Sequence, residues 1–232
     1  MDHRERIRFH PGPRRHDAGL RPGGYGSMGG TRQVAKDTAV ERSASQTATP
    51  PTETLHEGRF LALRRRGRWE FVERVNAYGT AVVIALTADD EMVLVEQHRE
   101  PLGGPAIENP AGLAGDQPGE EDILGAARRE LLEETGFEAG HVELILTGPG
   151  SPGLSSELLT FVRATGLRRV HAGGGDGSEN ITVHVVPMAR VCAFLAMKMQ
   201  EGVHVDPRVY AAVFFARHGL DGRRLDDGRP YA

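Results

Sequence analysis

Residues 115–137 read GDQPGEEDILGAARRELLEETGF. Ile123, Leu124, Ala127 and Leu131 recur near helical spacing, which predicts a helix over 120–135 with these residues on its core face. Glu120, Glu121 and Asp122 are expected in its first turn, where acidic side chains suit the positive end of the helix dipole. Gly136 follows the last helical residue and fits a left-handed C-cap. On this helix Glu130 and Glu134 share a face, four residues apart, and Glu133 lies on the neighbouring stripe.

Like charges at that spacing repel, so something cationic is expected to compensate. Arg129 reaches Glu133 at i+4 and leaves Glu130 and Glu134 as a pair. One or two carboxylates, completed by phosphate oxygens and water, form the shell that Mg²⁺ prefers. Taken alone, an acidic helical face is more often simply solvated. The wider spacing decides against that reading. From Gly115, five residues lead to Glu121, and seven more lead to Arg129-Glu130-Leu131-Leu132-Glu133-Glu134-Thr135-Gly136. Seven fixed residues, at roughly 7% each, match by chance on the order of 10⁻⁸ times per start point.

Outward from the helix, FLALR (60–64), WEFVERVNA (69–77), TAVVIAL (80–86) and MVLVEQ (92–97) read as strands, with a turn at Asp89-Asp90. AIENPA (106–111) reads as a short strand halted by Pro110. VELILT (142–147), LLTFVRA (158–164) and TVHVVP (182–187) are further strands. Helices are expected over 188–200 and 206–217, the second opening on Asp206-Pro207, an N-cap followed by proline at the first helical position. Strands and helices without a regular alternation predict an α/β fold with a mixed sheet between helices.

The 232 residues are 39% hydrophobic and 26% charged, which suits a soluble domain with a core of its own. Residues 1–50 carry 9 Lys+Arg against 5 Asp+Glu, and the rest of the chain 19 against 27. An acidic folded part argues against nucleic acid as the main partner. The first 55 residues are rich in Gly, Pro, Arg, Ser and Thr and lack periodicity, so they are expected to form a disordered tail, with Met28 an alternative start. A domain over 56–218 and a C-terminal tail over 219–232 complete the expected organisation. The single cysteine, Cys192, excludes an internal disulfide, and its apolar neighbours predict a small buried side chain. Trp69 and Tyr78 are expected to pack against the sheet rather than stack on a base. No run of 18 apolar residues and no apolar leader is present, so a cytoplasmic protein without membrane contact is expected.

The spacing in 115–136 resembles the signature of the Nudix hydrolases at every fixed position; only Phe137 stands where the family usually has an aliphatic residue. The resemblance covers roughly residues 58–218. It implies an α/β/α sandwich with a mixed sheet, and hydrolysis of a nucleoside diphosphate linked to another group. By position Glu130, Glu133 and Glu134 match the family's metal ligands, and Arg129 the arginine that orients them. Mg²⁺ is the implied metal, with Mn²⁺ as a substitute.

VEQHREP (95–101), ENPAGL (108–113) and SPGLSSE (151–157) resemble segments of the ADP-ribose pyrophosphatases. That resemblance makes Arg99, Ser151 and Glu157 substrate-binding candidates. SENITVHV (178–185) resembles the late loop supplying a last acidic residue, Glu179, a candidate for both metal ligand and general base; Glu157 and Asp176 are the other candidate bases. Gly177 stands where some members carry a further acid. Two Ala-Gly pairs compete to offer a backbone carbonyl to the metal. The spacing favours Ala114-Gly115, and the Pro-Ala-Gly context favours Ala111-Gly112. The expected substrate is ADP-ribose, with UDP-glucose or GDP-mannose as alternatives, and a ligand sensor without catalysis as the reading of a different class. The subfamily also implies a homodimer whose N-terminal strands help to build the partner's site.

Overall fold

The computed structural model describes residues 49–116, 122–175, 180–226 and 228–229. Glu120, Glu121, Asp176, Gly177, Glu179 and the segment 1–48 with Met28 lie outside the described residues. The first strand, β1 (Thr52–Glu57), begins inside the stretch that composition assigned to the tail. It pairs antiparallel with β2 (Leu61–Arg66), which pairs with β3 (Trp69–Arg74), giving a three-stranded sheet of its own. β1 was missed because its sequence, TETLHE, is exposed throughout and shows no apolar alternation.

The main sheet is built on β4 (Gly79–Leu86) and β5 (Glu91–Arg99), joined through a turn in which Asp90 takes a left-handed φ of 59°. β6 (Gly104–Glu108) pairs with β5, and β7 (Ala111–Ala114) with β4. The chain then enters the helix α1 (Ile123–Thr135) and returns through β8 (Phe137–Pro149), β9 (Leu158–Arg169) and β10 (Thr182–Pro187). β4 and β9 are parallel, as are β6 and the two-residue β11 (His204–Val205); the other pairs are antiparallel, so the sheet is mixed.

β4 is buried on both faces, which is why TAVVIAL is a continuous apolar run rather than an alternating one. Ala81, Val83 and Ala85 pack with Ala127 and Leu131 of α1. Val82 and Ile84 face the other way, onto Val191 and Leu195 of α2 (Val191–Gln200) and Val209 and Ala212 of α3 (Pro207–Phe215). Helices therefore cover both faces, the α/β/α sandwich expected from the sequence.

Helix α1 starts later than its acidic run suggests. Asp122 is the N-cap, its Oδ1 accepting the Gly125 N–H at 2.7 Å, and no acidic residue sits in the first turn. A side chain that caps must stay outside the helix, with extended backbone. Gly136 closes the helix at φ 74°. Cys192 is exposed, not buried: the core stripe of α2 runs through Val191 and Leu195, and Cys192 lies off it. Trp69 and Tyr78 are exposed too, at 57% and 60%. No helix among the described residues is long and apolar enough to cross a membrane.

Candidate active site

A cavity of about 430 Å³ opens beside the acidic end of α1. Glu130 and Glu134 both line it, together with Ala111 and Gly112 of β7. The pairing of β7 with β4 sets this strand beside the helix. The Ala111 N–H donates to Glu134 Oε2 at 3.1 Å. Glu134 is 3% exposed, so its carboxylate is held by backbone rather than left to solvent.

Arg129 serves more of the cluster than its i+4 reach suggests. Its Nη1 donates to Glu130 Oε1 at 2.7 Å and to Glu133 Oε2 at 3.3 Å, and its Nη2 to the Leu113 carbonyl at 3.1 Å. Burial nevertheless dominates at Glu130. The Arg129 charge and hydrogen bond favour the ionised carboxylate, Glu133 and Asp116 oppose it, and the Glu130 pKa is pushed up to about 7. A buried carboxyl in that position gains from a further cation.

Glu133 does not line the cavity, and its side chain is 45% exposed. Among the described residues, no group of three or more His, Cys, Asp or Glu side chains is arranged to hold a metal. The arrangement therefore brings two of the three helix carboxylates together and leaves the third with Arg129. Two oxygen donors, with phosphate and water completing the shell, still suit a hard divalent cation. Of the two Ala-Gly pairs, Ala111-Gly112 lies at the cavity. Ala114 is fully buried, and its carbonyl accepts the Tyr78 N–H at 3.0 Å.

The cavity also holds guanidinium groups. Arg99, at the end of β5, makes a two-point clamp with Glu108, 2.7 Å through each nitrogen–oxygen pair. Arg99 is thus ion-paired and also lines the cavity. Arg74 donates to Glu157 Oε1 at 2.5 Å, and Thr80 Oγ1 donates to the same oxygen at 2.9 Å. Burial works to raise the Glu157 pKa, but these hydrogen bonds and the charge of Arg74 outweigh it and hold the carboxyl below its usual range. Glu157 is therefore a lasting anion and a weak base. Ser151 is not among the residues that line the cavity; its carbonyl accepts the N–H groups of Leu154 and Ser155 at 2.9 Å in the turn before β9.

Arg74, Arg208, Glu108 and Asp116 line the same cavity and were not found from the sequence. Arg74 ends an ordinary-looking strand, and Arg208 follows the Asp206-Pro207 helix signal, which marks a helix start but not what the helix faces. Only the ion pair between Arg74 and Glu157, 83 residues apart, reveals Arg74 as part of the site.

The model of the NUDIX domain matches residues 77–206. A methanol dehydrogenase activator of Bacillus methanolicus is 35% identical over 138 residues, which cover 56% of this chain and 73% of that protein. An ADP-ribose pyrophosphatase of Mycobacterium tuberculosis is 37% identical over 128 residues, 53% of this chain and 61% of that one. A GDP-mannose pyrophosphatase of Escherichia coli is 31% identical over 150 residues, covering 59% and 75%. The solved structure of an ADP compounds hydrolase superposes with a TM-score of 0.55 at 23% identity, over 72% of this chain and 90% of that one, which speaks to the fold. A domain match over more than half of the chain, on a fold whose glutamate helix opens into an arginine-bearing cavity, makes this protein a member of the Nudix family of hydrolases.

Proposed function

We propose that the protein hydrolyses the diphosphate linkage of a nucleoside diphosphate derivative, with ADP-ribose as substrate and AMP and ribose 5-phosphate as products. The observation that carries this is one cavity in which carboxylates of α1 stand with Arg74, Arg99 and Arg208. A diphosphate needs cations along its length and a carboxylate-held metal at the scissile bond. The relatives named above as ADP-ribose and GDP-mannose pyrophosphatases support the same class.

Glu130 and Glu134 would hold Mg²⁺, or Mn²⁺ in its place, with the Ala111 carbonyl, Glu133 and Glu179 as further ligands. The bound metal neutralises phosphate charge and lowers the pKa of a water. Arg129 orients Glu130 and Glu133. Arg99, Arg74 and Glu157 place the substrate, and Ser151 lies in the turn that leads to Glu157. Water attacks one phosphorus, the P–O–P bond breaks, and a carboxylate accepts the proton. Glu179 is the preferred base, because Glu157 is held as a weak one, and Asp176 is the alternative.

We also place a homodimer here. Leu61 and Leu63 are exposed on one face of the three-stranded sheet and Trp69 on the other. A small sheet with apolar side chains in water on both faces suits a partner surface. Arg74 shares the face of Leu61, so a partner covering it would border the cavity.

Incubation with ADP-ribose and Mg²⁺, followed by chromatography, tests the reaction. AMP is expected from the wild type, and almost none from Glu134→Gln. That variant can still accept the Ala111 N–H, so its fold is expected to survive. Turnover of GDP-mannose but not ADP-ribose would replace the substrate, and near-normal turnover by Glu134→Gln would overturn the site.

A further inference from the structure

Arg208 is placed more firmly than a surface arginine. It is the second residue of α3, and Asp206 holds it twice. Asp206 Oδ1 accepts the Arg208 backbone N–H at 2.8 Å, which caps the helix. Asp206 Oδ2 takes the guanidinium Nε at 2.6 Å and also Nη2. The Asp206 N–H donates to the Ile107 carbonyl at 3.0 Å, tying this corner to β6 one residue before Glu108. Nη2 lies 3.9 Å from Glu108 Oε2, the carboxylate that clamps Arg99.

The Arg208 side chain is 34% exposed and lines the cavity that holds Glu130, Glu134 and Arg99. Its Nε and Nη2 face Asp206 and Glu108, while Nη1 donates to no atom among the described residues. Arg99 likewise commits its Nε and Nη2 to a carboxylate, that of Glu108. A partly desolvated guanidinium needs partners for its donors, and its planar fork is suited to anionic oxygens. Because Asp206 already fixes the side chain, little ordering entropy remains to be lost when such a group arrives. The helix cap does not explain the side chain, since Asp206 makes it to the Arg208 backbone.

We infer that Arg208 is a substrate-binding residue, whose Nη1 edge takes a phosphate oxygen of the nucleoside diphosphate derivative beside Arg99 and Arg74. This rests on the reading of the cavity as a nucleoside diphosphate site. It brings α3, which lies outside the glutamate helix and its flanking loops, into substrate recognition.

The test is direct binding, independent of turnover. ADP-ribose and GDP-mannose are titrated by calorimetry in EDTA, with ligand integrity checked by chromatography, into wild type, Arg208→Gln and Arg208→Lys. Arg208→Gln is expected to weaken the tighter of the two ligands about 10- to 100-fold at an unchanged melting temperature. Arg208→Lys is expected to lose about tenfold, because an ammonium lacks the fork that serves Asp206 and a phosphate together. Wild-type affinity in Arg208→Gln would overturn the inference and leave the site reading standing. If Arg208→Gln does not fold, wild-type affinity in Arg208→Lys would overturn it in the same way. A wild type that binds neither ligand in EDTA would overturn this inference, whereas the absence of AMP from ADP-ribose with Mg²⁺ is what would overturn the site reading.

Discussion

Gly112 and Glu130 are packed so closely that a Cβ on the glycine would lie 1.9 Å from the Glu130 carboxyl carbon. The glycine of ENPAGL is therefore the floor beneath a cavity carboxylate, and its role is close approach rather than unusual backbone torsion. The neighbour that must move is the end of a flexible side chain, so Gly112→Ala is expected to displace Glu130 while the fold survives. Displacement of a reacting group by about 1 Å costs on the order of 100-fold in rate. Steady-state kinetics beside a thermal melt would check this; a kcat/KM within a few-fold of wild type would show that Glu130 can work from another position.

Glu157 faces Arg74 and Thr80, and its low pKa separates two roles for it. As a placing residue it should affect substrate affinity. Glu157→Gln is then expected to raise KM about tenfold, through the loosened Arg74, and to keep the acid limb of kcat against pH. Disappearance of that limb in Glu157→Gln, with persistence in Glu179→Gln, would make Glu157 the base instead.

Away from the cavity, Glu96 Oε2 lies 3.0 Å from Lys198 Nζ and 2.9 Å from His184 Nε2. Burial works to raise the Glu96 pKa, but the hydrogen bonds from Lys198 and His184 and their charges lower it overall. A folded-state pKa below the unfolded one contributes stability that is present above about 4.5 and lost as pH falls through the folded value. Glu96→Gln is expected to lose about 1–3 kcal/mol at neutral pH, judged from hydrogen bonds to charged groups. Chemical unfolding at several pH values should show the gap to wild type closing in acid. A gap that stays constant would mean the loss comes from packing.

The exposed apolar side chains of the three-stranded sheet lead to a prediction about mass. Light scattering is expected to report twice the 25.2 kDa of one chain. Leu61→Glu, which puts a charge on the face shared with Arg74, is expected to yield monomer and to raise KM. A wild type that runs as a monomer would assign those side chains to some other contact.

What the sequence alone determined is local or periodic. The spacing across 115–136 marked the glutamate helix, the apolar run TAVVIAL marked a strand, and Gly136 and Asp206-Pro207 marked helix ends. These follow from backbone torsion, capping and side-chain period, which act within a few residues. The tertiary structure decided which charged groups meet. It put Glu133 outside the cavity with Arg129, set Ala111 and Gly112 along the cavity, and paired Arg74 with Glu157 and Arg99 with Glu108. Arg74 and Glu157 meet across 83 residues, and the pairing of β5 with β6 brings Arg99 to Glu108. No local pattern encodes these contacts, because an arginine at a strand end has the same neighbours in sequence whether it faces water or a phosphate.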